Sequence, residues 1–169
     1  MRQHGGGIHL ETVEGRGSTF SLYFPRAESA GPGTGPRPGS ETLHAVHRRI
    51  LVVEDEPGVR RITRNTIEHL GCTVDVAEDG AVALQLLLSG ANYDAVVSDV
   101  MMPRMGGPEL LRRARAAGIG VPFVFVSGYA TENFEGLALE DGRVWILAKP
   151  WLPHELTAVL DKALTARAD

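Results

Sequence analysis

The stretch "YDAVVSDVMMPRMGG", residues 93–107, decides the fold. A short apolar run stops on a carboxylate, Asp99, and is followed by a proline and, further on, a glycine pair. Such a run, bounded by turn residues, suits a strand buried on both faces, and the carboxylate falls where that strand leaves the core. Working outward, four more runs of the same kind appear: "RILVV", "CTVDVA", "PFVFV" and "VWILA". Helical patterns alternate with them over residues 48–169. Pro57 to Leu70 reads as a helix with Val59, Ile62 and Leu70 inward and Gly71 as its stop. Asp79 caps a helix carrying Val82, Leu84 and Leu86 to Leu88. A third helix has Pro108 in its first turn and runs to Ala117. The last starts near Pro153 and buries Leu156, Val159, Leu160, Ala163 and Leu164 at helical spacing. "TENFEGLALEDG", broken by Gly136 and rich in acid, reads as short or irregular.

Repeated strand–helix units make a parallel sheet covered by helices on both faces. The fold class is therefore α/β, a doubly wound five-stranded parallel sheet with strand order 2-1-3-4-5, whose ligand site lies at the carboxyl edge beside the switch point. The polar residues at the strand ends all belong to that edge: Glu54, Asp55 and Glu56 after the first strand, Asp99 after the third, Ser127 after the fourth and Lys149 after the fifth. Converging carboxylates repel one another and call for raised pKa values or a cation. An all-oxygen ligand set suits Mg2+, which keeps several of its waters. A lysine and a hydroxyl facing the same point suit the remaining oxygens of a phosphoryl group, and Asp99 becomes a nucleophile for an acyl phosphate.

Composition sets the outer bounds. The 169 residues are 43% hydrophobic and 22% charged, with a net charge of −4, so nothing favours a nucleic-acid partner. The basic clusters at Arg60–Arg61 and Arg112–Arg115 read as solvated helix faces. The single cysteine, Cys72, cannot form an internal disulfide and reads as a small buried hydrophobe. No apolar run reaches the length of a membrane span and no signal peptide opens the chain, which makes the cytoplasm the expected compartment. Met101, Met102 and Met105 read as core and loop packing, and the six histidines show no metal spacing.

Residues 27–47 lie in a run of prolines and glycines with almost no large apolar side chain and are read as a flexible linker. Before it, "GIHLETV" and "STFSLYF" alternate around "EGRG" and predict a β-hairpin, too small to be stable alone.

Taken together, "ILVVEDEP", "DVMMPRMGG", "FVSGY" and "AKPW" closely resemble the receiver domain of two-component response regulators. The resemblance implies a flavodoxin-like fold, a cis Lys149–Pro150 bond and Asp99 as phosphoacceptor. It makes Asp55 a direct Mg2+ ligand, Glu54 a ligand through water and Met101 a ligand through its carbonyl, with Ser127 and Lys149 in the hydroxyl and cationic roles. Where many receivers carry an aromatic three residues before the lysine, this chain has Ile146, with Trp145 beside it. A phosphatase of the haloacid dehalogenase type also uses an aspartyl phosphate, but it wants a second aspartate where Met101 stands. Residues 1–26, with the glycine box from Gly15 to Phe20, resemble the end of a histidine kinase ATP-binding domain. That order implies the C-terminal piece of a hybrid sensor kinase. Its partner would be a histidine kinase phosphodonor domain or a histidine phosphotransfer protein, and without the other ATP-holding elements no kinase activity is expected of this chain by itself.

Overall fold

The computed structural model describes residues 7–13, 15, 17–23, 48–128 and 142–166. The proposed linker, the acidic stretch 131–141 and Tyr129 lie outside them. The chain divides into two compact units, Met1–Glu41 and Thr42–Asp169.

In the first unit, β1 (Gly7–Val13) pairs antiparallel with β2 (Gly17–Tyr23). The register sets Ile8 against Leu22 and Leu10 against Phe20, so the apolar side chains share one face of the hairpin. Gly15 and Gly17 turn the chain at positive φ.

The second unit is a five-stranded parallel sheet of order β4-β3-β5-β6-β7, the doubly wound order expected. Its elements are β3 (Arg49–Val53), α1 (Pro57–Glu68), β4 (Thr73–Ala77), α2 (Gly80–Leu88), β5 (Ala95–Asp99), α3 (Gly107–Ala116), β6 (Phe123–Ser127), β7 (Val144–Ala148) and α4 (Pro153–Thr165). Alternate side chains of each strand serve opposite cores, which is why the strands read as unbroken apolar runs. Leu51, Val53, Val96, Phe123 and Phe125 pack with α2 and α3 on one face. Ile50, Val52, Val97, Val124 and Val126 pack with α1 and α4 on the other.

The helix signals hold with two corrections, both in α1. Glu56 caps α1 through both carboxylate oxygens, to the amides of Gly58 at 3.0 Å and Val59 at 2.5 Å. Asp79 caps α2 by accepting from Val82 N at 2.9 Å. The expectation that Ile62 points inward is wrong: it is 58% exposed, and α1 buries Thr63 and Ile67 instead. Its inward face runs half-buried Val59, then Thr63 and Ile67, in steps of four, and Ile62 lies about 100° off that line. The helix also stops at Glu68, and Leu70 belongs to the closing turn before Gly71.

Candidate functional site

Strand register brings the site together. β3 and β5 are hydrogen-bonded neighbours, with Val53 opposite Ser98, so the loop after β3 and the end of β5 emerge side by side. Lys149, just past β7, donates from its backbone to the carbonyl of Ser127 at 2.7 Å, and the Lys149–Pro150 peptide is cis. The lysine side chain spans back across the sheet edge. Its Nζ lies 2.8 Å from Asp99 Oδ2 and 3.0 Å from Glu54 Oε2. Asp99 Oδ1 accepts from the amides of Val100 at 2.6 Å and Met101 at 3.3 Å.

Carboxylate oxygens of Glu54, Asp55 and Asp99 all fall within 4.8 Å of one another, a spacing that suits a shared hard cation. Glu54 is buried, Asp99 half-buried and Asp55 exposed. Burial pushes the Glu54 carboxyl above its ordinary value and the Asp99 charge adds to this, while Lys149 opposes them. For Lys149, burial works against the ammonium, but its bonds to Asp99 and Glu54 outweigh that and raise it above the ordinary lysine value. The ammonium therefore stays charged and serves as the internal counterion of the acidic cluster.

The supporting loops are close-fitted. A Cβ on Gly107 would lie 2.5 Å from the Asp99 carbonyl oxygen and 2.8 Å from the Phe125 ring, so only glycine lets α3 start that near the carboxylate-bearing strand end. Arg104, at φ 63°, donates to Glu78 Oε1 at 2.7 Å and pairs with Oδ2 of buried Asp79. Gly80 N donates to the Met105 carbonyl at 3.0 Å, so the loops after β4 and β5 are fastened to each other.

The sequence pattern of the response regulator receiver domain matches residues 50–161. The chain belongs to that family. It is 34% identical over 172 residues to the sensor kinase CckA of Brucella abortus, an alignment that covers 97% of this chain and 18% of the kinase. It is 38% identical over 110 residues to the response regulator MprA of Mycolicibacterium vanbaalenii, covering 65% of this chain and 47% of MprA. The chain thus spans less than half the length of either relative. The receiver domain of the Francisella response regulator 1452 superposes with a TM-score of 0.63 at 32% identity, over 72% of this chain and 99% of that one.

In this receiver the structure brings Glu54, Asp55, Asp99 and Lys149 into one cluster, as the sequence suggested. Ser127 ends β6 at the same edge, one position past the register partner of Asp99, and its residue is 3% exposed. Met101 lies two residues past Asp99 and is 72% exposed, so packing does not explain it; Met105 is buried. Trp145 packs against the core that lies under α1 and α4, and Ile146 is half-buried. An apolar groove of about 460 Å³ opens beside Lys149, lined by Val59, Ile62, Pro150, Trp151 and Pro153. Among the described residues, no helix is long and apolar enough to cross a membrane.

Two arginines were misread from sequence. Arg60 is half-buried and tied to the backbone: its Nη1 donates to the carbonyls of Glu54 at 2.6 Å and Asp55 at 3.1 Å. Arg115 likewise donates to the carbonyls of Ile119 and Val121. The available signal was position alone, since Arg60 stands one helical turn after the cap Glu56 and faces back to the strand end.

Proposed function

We propose that Asp99 accepts a phosphoryl group from a phosphohistidine, with Mg2+ held by Glu54, Asp55, Asp99 and the Met101 carbonyl. What carries the reading is the three-carboxylate cluster with the Lys149 ammonium bonded to both Asp99 and Glu54. In the transfer an Asp99 oxygen forms the new bond to phosphorus as the phosphorus–nitrogen bond breaks, and the imidazole nitrogen leaves with the electron pair. When bound, Mg2+ supplies the positive charge that lets phosphoryl oxygens approach a cluster of carboxylates. Lys149 meets a phosphoryl oxygen, and the Ser127 hydroxyl takes another. The groove beside Lys149 gives the phosphodonor domain an apolar place to dock.

We place the receiver in the C-terminal part of a hybrid sensor kinase, in the cytoplasm, with residues 1–26 as the end of the ATP-binding domain and 27–47 as the linker. The similarity to the Brucella sensor kinase over 97% of the chain supports that arrangement. The phosphodonor is then a histidine kinase domain, and a histidine phosphotransfer protein is the further partner to which the phosphoryl group would pass. Incubation with acetyl phosphate and Mg2+ should add a single phosphoryl group, read by intact mass. Asp99→Asn should abolish it, and undiminished labelling of that variant would refute the assignment.

A further inference from the structure

Arg60 stands in the second turn of α1 and reaches back to the loop that ends β3. The carbonyls of Glu54 and Asp55 turn toward its guanidinium, while the carboxylates of the same two residues converge with Asp99. Glu54 has further anchors, the Lys149 ammonium at 3.0 Å and the Glu56 amide at 3.4 Å. The Asp55 carboxylate has no hydrogen-bond partner among the described residues. Its place is therefore set by its backbone, and that backbone is held at the carbonyl by Arg60.

From this we infer that Arg60 is a positioning residue: by fixing the Glu54 and Asp55 carbonyls it holds the Asp55 carboxylate where a divalent cation needs it. The inference rests on the phosphoacceptor reading above. It makes a prediction of unusual sign. By charge alone, removing a cation from beside an acidic cluster strengthens Mg2+ binding. Loss of positioning weakens it, and partners that orient metal ligands typically contribute about tenfold or more in affinity. Geometry and charge thus oppose each other at Arg60.

Calorimetric titration with Mg2+ alone should show Arg60→Ala binding about tenfold more weakly than the wild type. Arg60→Lys, which keeps the charge and a donor, should recover much of that loss. Arg61→Ala, at an exposed neighbouring position, should match the wild type. Labelling by acetyl phosphate should show the same pattern, with the half-saturating Mg2+ concentration raised in Arg60→Ala and the rate at saturating Mg2+ nearly unchanged. A merely structural role would lower thermal stability without that split. Equal or tighter Mg2+ binding by Arg60→Ala overturns the inference, as does an equal loss in Arg61→Ala. Should Arg60→Ala fail to fold, Arg60→Gln takes its place, with weaker binding supporting the inference and equal or tighter binding overturning it. A wild-type chain that neither binds Mg2+ nor labels overturns the phosphoacceptor reading instead.

Discussion

Tyr93 shows how one side chain ties the foot of the sheet together. Its hydroxyl donates to Asp75 Oδ2 at 2.9 Å, the Arg49 guanidinium ion-pairs with the same oxygen, and that guanidinium also lies 5.1 Å from the centre of the tyrosine ring. Burial first, and then the neighbouring Asp75, push the phenol up to about 12. The folded state thus keeps a proton that the unfolded chain loses near pH 10. The resulting stability is fully present below about pH 10 and is lost as pH rises through about 12. In an alkaline absorbance titration, one of the three tyrosines should ionise late, and Tyr93→Phe should remove that late step. The same variant should cost about 1 kcal/mol at neutral pH in denaturant unfolding, the usual worth of one such bond. A late step that persists in Tyr93→Phe would show that another tyrosine is responsible. At this scale sequence reading was strong for the charged strand ends and weak for arginines. Glu54, Asp55, Asp99 and Lys149 each stand where an apolar run stops, a visible signal, whereas Arg60 bonds to backbone carbonyls that no sequence pattern displays.

Between elements, the β4–α2 loop is fastened to the β5–α3 loop through Arg104 and the Met105 carbonyl. Asp79 does two jobs, capping α2 with Oδ1 and pairing with Arg104 through Oδ2. Burial alone would push the Asp79 carboxyl up, but the Val82 amide and Arg104 outweigh it and hold it below the ordinary aspartate value. Its contribution to stability is thus present at neutral pH and fades as the solution is acidified below the usual aspartate range. Asp79→Ala should destabilise the receiver by about 1–2 kcal/mol from the lost cap, with more from the paired arginine left behind. Asp79→Asn, which retains a capping oxygen, should lose less. Thermal unfolding at neutral pH checks the order, and an Asp79→Ala variant as stable as the wild type would refute the role. The strand order was legible because five apolar runs alternate with capped helices, and the Asp79 cap was legible from its place before an apolar stretch. The inward face of α1 was not, because its buried line contains a polar residue, Thr63, while apolar Ile62 faces the groove beside Lys149.

For the molecule as a whole, two compact units predict separate folding behaviour. The hairpin's Ile8, Leu10, Phe20 and Leu22 are each more than half exposed, whereas the second unit holds a continuous core on each face of its sheet. A fragment of residues 48–169 should therefore melt in one cooperative transition at the same temperature as the full chain and keep its Mg2+ affinity. A fragment that is unfolded, or melts well below the full chain, would show that the first unit contributes to the stability of the second. Lys149 also reaches residues 50 and 95 positions earlier in the chain. During synthesis the acids emerge from the ribosome long before Lys149, and until β7 docks they lack that ammonium. An unfinished copy thus lacks the ammonium that balances Glu54 and Asp99, and the cluster is complete only once the last of the described strands has docked.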